Sequence, residues 1–426
     1  MTQSIVIQVG QCGNQIGCRF WDLALKEHAS VNRKGIYDDA LKSFFRNEGG
    51  DENRKTIADL KARAILIDME EGVVNEIMKG KLRNVFDRRQ LITDVSGSGN
   101  NWAVGHMVYG QQHRESILEN VRKEAESCDS LQCFFILHSM GGGTGSGLGT
   151  SVLRLVAEEY PDVYRFVTAV YPSFDDDVIT SPYNTMLATN QLTNYANCVL
   201  PIENQCLTNI IERHAKMNKQ SEKKTGKPFD NMNDIVANLL LNLTSSSRFE
   251  GSLNVDLNEI TMNLVPFPKL HYILSSMAPI YSTKGIGPRR LDEIFTDAFT
   301  SLNHLVDCDP LRNLYLASGL LIRGNVQLSD VRRNIEKLQM KCKFVPWNKD
   351  GWKIGLCSVA PVDHRYSLLS LSNNTCIAHI HHYTDHGEMS INEFDLANES
   401  LKSLIEEYDD LNTRQWIVPE RLKIVL

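Results

Sequence analysis

The first half of the chain alternates short apolar runs with segments long enough to form helices, and this alternation constrains the fold more than any other feature. The runs predict five buried strands, at residues 5–9, 64–67, 133–137, 166–171 and 198–202. Pro201 weakens the fifth strand, because proline cannot donate a ladder hydrogen bond. Apolar strands separated by helices are typical of a parallel sheet with helices on both faces. We therefore predict an α/β fold built on a parallel sheet.

The second half of the chain has a different pattern. Beginning at Phe229, apolar residues recur at helical spacing around most of one segment, which predicts a helix over about 229–245 that is buried between two domains. Further on, strand-like runs mix with amphipathic helices such as 328–338 and 396–411, which predicts a second, smaller α/β domain and a C-terminal helix. The strand-like runs are residues 269–275, 314–322, 342–345 and 353–359.

Charge and hydropathy argue against two classes of partner. The formal net charge is -7, whereas a protein that binds the nucleic-acid backbone usually carries an excess of lysine and arginine. The amino terminus has no basic leader, and the longest apolar runs are far too short to cross a bilayer. We therefore expect no nucleic-acid partner and no membrane partner. The 10 cysteines form no CxxC pair and are expected to be free thiols in a reducing compartment.

Glycine-rich and acidic segments follow the predicted strands, where open parallel sheets bind their ligands. They are GQCGNQIG after the first strand, DMEEG after the second, SGSGNN further along, and SMGGGTGSG after the third. Glycine lets consecutive backbone N–H groups face one anion, a helix that begins near Gly145 adds its positive end, and Thr144 and Ser146 offer hydroxyls. Glu70 is placed to hold Mg²⁺ directly or through water. Four such loops in strand order predict a site for a nucleoside di- or triphosphate rather than unrelated turns.

The absence of several known motifs excludes other classes of nucleotide site. The sequence has no GxxxxGK[ST], which excludes the P-loop architecture. No GxGxxG follows the first strand, which disfavours a dinucleotide site. We also find no nucleophile–base pair and no cofactor lysine motif, which argues against a free-standing metabolic enzyme.

Four segments of the chain resemble one known family. The heptapeptide GGGTGSG at 141–147 resembles the signature of the tubulin family, and GQCGNQIG at 10–17, GSGNNWAVGH at 97–106 and NLVPFPKLH at 263–271 are similar to tubulin as well. The resemblance runs from residue 1 to the C-terminal helix and implies the tubulin fold with GTP or GDP and Mg²⁺ as ligands. The implied domains are a GTP-binding domain at 1–205, an intermediate domain with the central helix at 206–376, and a C-terminal helical region at 377–426.

The resemblance also implies which residues bind the nucleotide. Asn204 and Asn233 match the two amides that read guanine, and Phe229 matches the aromatic ring that stacks on the base. Asp177 matches the ribose contact, and Glu70 matches the magnesium-linked acid. The remaining matched positions, against the phosphates and the base, are Gln11, Cys12, Gln15, Asn100, Ser139, Gly141, Gly142, Gly143, Thr144 and Gly145. Ser181 departs from the acidic residue that the family often has at that position.

Two further departures lie near the C-terminus. Residues 373–376 run straight into 377–383, so that roughly 20 residues of the family pattern, or about 30 Å of helix, are missing. The chain ends in ERLKIVL at 420–426, whereas alpha- and beta-tubulins end in a glutamate-rich tail. We therefore expect that partners which read such a tail do not bind this chain.

A catalytic role for an acidic residue follows from the same resemblance. Asp256 and Glu259 lie in the segment DLNE, which matches the loop that tubulins dock onto the nucleotide of the next subunit. Where that loop carries glutamate, it positions and polarises the attacking water, which is worth roughly 10²- to 10⁴-fold in rate. An isolated chain would then hydrolyse GTP slowly. The alternative is that Glu259 is only a helix-start acid, stabilised by the helix dipole.

The implied function is that of a GTP-binding structural subunit of the microtubule cytoskeleton. Within the family, stretches such as FEGSLNVDLNE and WNKDGWKIGLCSV are most similar to a branch that acts at centrioles and basal bodies, in doublet and triplet microtubules, and so in cilia and the centrosome. The expected partners are other tubulins, whether alpha/beta dimers or delta-tubulin, and centriolar proteins. The alternative function is a GTP-dependent regulatory binding protein that never polymerises.

Overall fold

Two sheets organise the chain. The computed structural model describes residues 2–49, 56–173, 176, 178–217, 229–280, 290–377 and 392–413. The strands are β1 (Gln3–Val9), β2 (Phe45–Glu48), β3 (Asp59–Ala62), β4 (Ala64–Asp68), β5 (Leu91–Thr93), β6 (Leu131–Ser139), β7 (Tyr164–Tyr171), β8 (Cys198–Glu203), β9 (Leu274–Ala278), β10 (Leu314–Arg323), β11 (Lys343–Phe344), β12 (Trp352–Cys357) and β13 (Ser367–Asn374).

The helices surround these sheets. They are α1 (Gly10–Val31), α2 (Asp39–Lys42), α3 (Glu71–Lys79), α4 (Gly110–Gln112), α5 (Arg114–Glu126), α6 (Gly149–Glu159), α7 (Ser181–Tyr195), α8 (Asn204–Met217), α9 (Asp230–Leu243), α10 (Ser245–Arg248), α11 (Leu257–Leu264), α12 (Leu291–Ala298), α13 (Leu328–Gln339) and α14 (Asn392–Thr413). π-helical turns at Val104–Tyr109 and Thr144–Leu148 lead into α4 and α6, respectively.

The first sheet has six parallel strands in the order β5-β4-β1-β6-β7-β8. Every residue of β1 is buried, because helices cover both faces of the sheet. Pro201 lies in β8 at the sheet's edge, where a missing ladder donor is tolerated. The five predicted strands are all present, and β5 is an additional edge strand of three residues. Because the strands are parallel, their carboxyl ends meet at one edge of the sheet.

The helix α9 lies between the two sheets. It packs along α1, which covers one face of the first sheet, and it also contacts β10 and β13 of the second sheet. Its apolar side chains, from Ile235 to Leu243, are buried in one core with residues of both sheets. The opposite face of the first sheet is covered by α5, α6, α7 and α14, which form a second core. The predicted central helix is therefore observed in the predicted position.

The second sheet is smaller and mixed. Its order is β11-β10-β13-β9, with β12 also paired to β10, and α12 and α13 cover one face. The strand predicted at 269–275 is wrong in its position, since β9 occupies Leu274–Ala278. Residues 270–273 are buried, but their backbone bonds go to β8 of the first sheet: the N–H of Ile273 donates to the carbonyl oxygen of Val199 at 2.8 Å, and the N–H of Val199 donates to that of His271 at 2.9 Å.

The C-terminal helix α14 packs against α7 of the first sheet. Residues 378–391 and 414–426, which contain most of the predicted C-terminal departures, lie outside the described residues. The domain boundaries stay a prediction. Within the described ranges, none of the helices combines the length and the apolarity that crossing a bilayer requires.

Candidate nucleotide-binding site

The turn after β1 lies against the glycine heptapeptide that follows β6. Gly10 has a φ of 72°, in the left-handed region that favours glycine. A Cβ atom at Gly10 would lie 3.2 Å from the backbone nitrogen of Gly145, and a Cβ atom at Gly145 would lie 2.5 Å from Ser139 Oγ. A side chain at Gly10 would therefore press against the glycine segment, and a side chain at Gly145 would press that segment against Ser139 at the end of β6.

The loops after β4 and β5 join the same group. Ser98 Oγ lies 2.8 Å from Thr144 Oγ1, and a Cβ atom at Gly143 would lie 2.5 Å from the backbone nitrogen of Asn101. A Cβ atom at Gly97 would overlap the carboxylate of Glu70, so these two residues are in contact. The four glycine-rich and acidic segments that were predicted to form the site thus touch one another at the carboxyl edge of the first sheet.

The start of α7 holds two of these loops together. Asn100 also has a left-handed φ, of 54°, and its carbonyl oxygen accepts hydrogen bonds from Thr180 Oγ1 at 2.7 Å and Asn184 Nδ2 at 2.8 Å. Asn184 Nδ2 donates as well to the carbonyl oxygen of Gly141 at 2.8 Å. Sequence reasoning did not identify Asn184 as a site residue. The available signal was an amide directly after Pro-Tyr at the start of a helix.

A cleft of about 120 Å³ opens beside the loops. It is lined by Ser139, Gly141, Gly142, Val170, Pro172, Asp176, Val178, Ser181 and Asn204. Ser139, Gly141, Gly142 and Asn204 belong to the predicted set. Ser181 donates from Oγ to Asp176 Oδ2 at 2.8 Å, which adds an acidic side chain that the sequence analysis did not select. Asp177, the predicted ribose contact, lies outside the described residues.

The predicted contacts from α1 and α9 lie on two neighbouring helices. Gln11 is exposed, and Cys12 and Gln15 are half-buried on the first turns of α1. Burial raises the pKa of the Cys12 thiol to about 12, so that the thiol stays neutral. Phe229 is 56% exposed with a φ of 72°, and Asn233 is buried in the first turn of α9. These five side chains do not line the cleft that the described residues form.

An ion pair joins the two helices that carry these side chains. Arg19 Nε of α1 lies 2.5 Å from Asp234 Oδ1 of α9, and the hydrogen bond between them raises the pKa of the Arg19 guanidinium. Asp234 directly follows Asn233 in the chain. The ion pair therefore fixes the start of α9 beside α1, which begins in the glycine loops.

The electrostatics of the glycine loops are unusual for an anion site. None of residues 10–17, 68–72, 96–101 or 139–147 is a lysine or an arginine. Backbone N–H groups and the start of the helix at Thr144–Leu148 are the remaining sources of positive potential. The hydroxyl of Ser146, predicted to face the ligand, instead donates within the turn to the carbonyl oxygen of Gly142.

Two acidic side chains lie beside the same loops. Glu70 is exposed at the start of α3, where its carboxylate meets Gly97. Asp68, at the end of β4, is buried, and burial raises the pKa of its carboxyl to about 6. Exposed carboxylate oxygen is the kind of ligand that Mg²⁺ takes in nucleotide sites, so Glu70 fits the predicted metal contact.

Asp256 and Glu259 lie at the opposite end of the first sheet. The carboxylate of Asp256 caps α11 by accepting a hydrogen bond from the N–H of Asn258 at 3.2 Å, and Glu259 lies in the first turn of that helix. Burial raises the pKa of the Cys133 thiol well above its ordinary value, and the nearby Asp256 carboxylate adds to the rise. Cys133 lies near the start of β6, six residues before Ser139, which is about 20 Å along a strand. The acidic pair is thus far from the cleft of its own chain.

Comparisons with known proteins agree with the resemblance seen in the sequence. The family description "Tubulin/FtsZ family, GTPase domain" matches residues 3–212, and "Tubulin C-terminal domain" matches residues 268–386. The chain is 57% identical to the tubulin epsilon chain of Mus musculus over 475 aligned positions that cover 100% of both chains. It is also 57% identical to the tubulin epsilon chain of Homo sapiens, over 97% of this chain and 96% of that one.

More distant members of the same family match as well. The chain is 35% identical to the tubulin alpha-3 chain of Saccharomyces cerevisiae, over 96% of this chain and 97% of the yeast chain. The predicted resemblance to tubulins, and to the epsilon branch among them, is confirmed.

Proposed function

The chain belongs to the tubulin family, and from that premise we propose that it is a GTP-binding structural subunit of the microtubules of centrioles and basal bodies. Membership of the family implies a cytoskeletal GTPase subunit that binds GTP or GDP and contacts other tubulins. The proposal adds the place of action, in doublet and triplet microtubules that support cilia and the centrosome. It also adds the partners: alpha/beta dimers, delta-tubulin and centriolar proteins. Its support is the similarity over full length to epsilon chains.

The assignment of a nucleotide site rests on one observation: four glycine-containing and acidic loops converge at one edge of the first sheet. On the proposal, backbone N–H groups between Gly141 and Gly145, together with Gln11 and Asn100, bind the phosphates, and the helix that starts at Thr144 faces them with its positive end. When bound at Glu70, Mg²⁺ would offset phosphate charge that no lysine or arginine of these loops offsets.

Base and ribose recognition would come from the other side of the cleft. Asn204 lines the cleft, and Asn233 lies in the first turn of the neighbouring helix α9; their amides offer the donors and acceptors that a guanine edge needs. Phe229 has an exposed ring that can stack on the base. Cys12, held as a neutral thiol, and Gln15 would pack against the nucleotide from α1, and Asp177 would bind the ribose.

Hydrolysis would require a second chain. Asp256 caps α11 and so fixes the backbone turn that presents Glu259, whose side chain is 48% exposed at the end of the sheet opposite the cleft. From there Glu259 can accept a proton from water only at a nucleotide that another subunit brings. The same position is also consistent with the alternative, in which Glu259 is a helix-start acid without a catalytic role. The experiment on Glu259→Ala below distinguishes the two.

Exposed apolar side chains at both ends support such stacking. Val95 and Ile179, in loops beside the cleft, are 90% and 88% exposed. At the other end Met262 is 70% exposed, and Phe267 and Trp347 pack edge-to-face with ring centroids 6.0 Å apart while remaining about two-fifths exposed. Two different surfaces that each expose apolar groups are what a head-to-tail contact between subunits requires.

The nucleotide assignment is tested by releasing the ligand from purified protein and identifying it by chromatography. We expect about one guanine nucleotide per chain. Protein that carries no guanine nucleotide and takes up none at millimolar GTP would refute the site. Sedimentation with GTP and with GDP then separates a polymerising subunit, which sediments better with GTP, from a regulatory protein that never polymerises.

The catalytic assignment is tested with Glu259→Ala in sedimented assemblies. We expect unchanged nucleotide content and a turnover that is lower by roughly 10²- to 10⁴-fold. The matched control is Glu250→Ala, a neighbouring exposed glutamate outside α11. Retained turnover in the Glu259 variant would leave this residue with only its structural role in the helix. Localisation of the tagged chain away from centrioles in ciliated cells would refute the proposed place of action.

A further inference from the structure

Lys353 forms an ion pair with the proposed catalytic glutamate. Its Nζ lies 2.7 Å from Glu259 Oε2, and the two side chains are 31% and 48% exposed. Lys353 belongs to β12, where it pairs with Gly319 of β10. The side chain of Leu264, at the end of α11, lies against Gly319, since a Cβ atom there would be 3.2 Å from Leu264 Cδ1. The ion pair therefore joins two elements that pack on the same strand.

The residue before Lys353 anchors the start of the strand. The ring of Trp352 lies 5.0 Å from the ring of Phe344 and 6.1 Å from that of Phe299, measured between centroids. Trp352 is half-buried in this cluster, so that the backbone from which Lys353 projects is held by packing. A lysine on a packed strand is presented to a neighbour more reproducibly than one on a loop.

The nucleotide loops lack a cationic side chain, which Lys353 could supply. They contain no lysine and no arginine, although a bound triphosphate carries several negative charges. If a neighbouring subunit approached with Glu259 alone, it would bring a further negative charge toward the terminal phosphate. A cation beside Glu259 would remove that repulsion and would balance the charge that develops on the phosphoryl oxygens during transfer.

We propose that Lys353 is carried by each chain to the terminal phosphate of the next subunit's GTP, and that docking exchanges its ion pair with Glu259 for one with that phosphate. This inference rests on the proposed function. In the free chain, Lys353 binds the carboxylate of Glu259. In the docked pair, phosphate oxygens take over the ammonium group, and the released carboxylate is left to bind water.

The resulting step balances without any further reactant. Water attacks the terminal phosphorus as Glu259 accepts one of its protons, and a bond forms between the water oxygen and phosphorus. The bond from that phosphorus to the bridging oxygen breaks, and its electron pair stays on the GDP formed. Glu259 then returns its proton to the released phosphate. Lys353 transfers no proton and stabilises charge throughout.

The role of Lys353 in turnover can be measured apart from folding. Exposed ion pairs contribute little to folding, so replacing Lys353 should leave the thermal midpoint nearly unchanged. If the ion pair had only a structural role, its loss would affect assembly equally with GTP and with GDP, because that role would not involve the terminal phosphate. These two properties allow the function of Lys353 to be measured apart from folding.

The experiment compares Lys353→Met with Lys353→Arg in the full chain, supplied with GTP and Mg²⁺. Lys349→Met is the matched control, since Lys349 is an exposed lysine four residues earlier. We expect Lys353→Met to keep its bound nucleotide and thermal midpoint but to release phosphate about 10²-fold more slowly per sedimented chain. Its critical concentration for assembly should rise with GTP and change little with GDP. Lys353→Arg should recover most of the rate.

Three results would overturn the inference. They are phosphate release by Lys353→Met at the wild-type rate, equal weakening of assembly with GTP and with GDP, and a loss of activity in Lys349→Met as large as that in Lys353→Met. Failure of the proposed function looks different, because the wild-type chain itself would then hold no guanine nucleotide or would not sediment with GTP.

Discussion

Glu27 is the residue whose replacement we expect to destabilise the fold most. It lies near the carboxyl end of α1, the helix that begins in the glycine loops. Glu27 Oε2 is 2.7 Å from Arg248 Nη1, and Glu27 Oε1 is 2.9 Å from Arg323 Nη1. The three side chains are at most 4% exposed. One carboxylate thus joins the first sheet's helix to α10 and to the end of β10 in the second sheet.

The size of the effect follows from this burial. Unit charges about 4 Å apart attract each other by about 4 kcal/mol at the effective dielectric constant of a protein, and removing one partner of a buried pair typically costs about 3–5 kcal/mol. Burial alone would raise the pKa of Glu27, but Arg248 and Arg323 outweigh it and leave the pKa below its ordinary value. In Glu27→Gln the two guanidinium groups would face each other without a counter-charge. The expected loss is about 3–5 kcal/mol, a large part of the total stability of a protein.

The assay is urea unfolding of Glu27→Gln at pH 7.5, with the exposed helical residue Glu336 changed in the same way as control. The control should stay within about 0.5 kcal/mol of the wild type. Glu27→Gln combined with Arg323→Met removes one uncompensated charge and should recover part of the loss. Because the folded pKa of Glu27 is depressed, its contribution is complete above about pH 4.3 and is lost as the pH falls further. A loss below about 1 kcal/mol at pH 7.5 would refute the reasoning.

Three further predictions concern the site and its surroundings. Gly143→Ala would press a Cβ atom against Asn101, so we expect at least about tenfold lower nucleotide content, whereas Gly72→Ala, where the added atom meets open space, should match the wild type. Burial raises the pKa of Asp68 to about 6, so its charged form destabilises the folded chain at higher pH. We expect Asp68→Asn to raise the free energy of unfolding by about 2–3 kcal/mol at pH 7.5 and to leave it unchanged near pH 3. Burial lowers the pKa of His138 to about 4, so its contribution is complete above about pH 6.5 and falls away toward pH 4; His138→Gln should flatten the measured slope of unfolding free energy over that range.

The first sheet could be predicted from the sequence because its strands carry their own signal. Strands buried on both faces are apolar along their length, and five of the six were found in this way. The strand β13 was missed because it reads SLLSLSNN, in which five of eight residues are polar. All eight are nevertheless buried: Asn373 Nδ2 donates to the carbonyl oxygens of Leu264 and Leu270, at 2.8 and 2.7 Å. Such burial depends on partners about 100 residues away, which a local pattern does not contain.

The candidate site also combines features that could be predicted from the sequence with features that depend on tertiary contacts. The rule that ligands bind at the carboxyl ends of parallel strands located the glycine loops, because it needs only strand order. It could not foresee the hydrogen bonds that hold the loops together. Asn14 on α1 donates to the carbonyl oxygens of Gly10 and Ile67, at 2.9 and 3.0 Å, and so ties the turn after β1 to β4. Ser146 was expected to face the ligand for its hydroxyl, but the fold uses that hydroxyl inside the turn.

The charged side chains at the two ends of the first sheet complement each other in the way that the proposed function requires. The glycine loops have no cation of their own, and the pair formed by Lys353 and Glu259 has no phosphate within reach, because about 20 Å of strand separates the two ends. In the free chain Lys353 and Glu259 neutralise each other as an ion pair, and the glycine loops offer backbone dipoles rather than cationic side chains. On the proposal, the terminal phosphate, the ammonium group of Lys353 and the carboxylate of Glu259 come together only when the two ends of different chains meet. On the proposal, turnover is coupled to assembly because the two ends of different chains together supply the groups that react, and docking changes one side-chain ion pair within the chain.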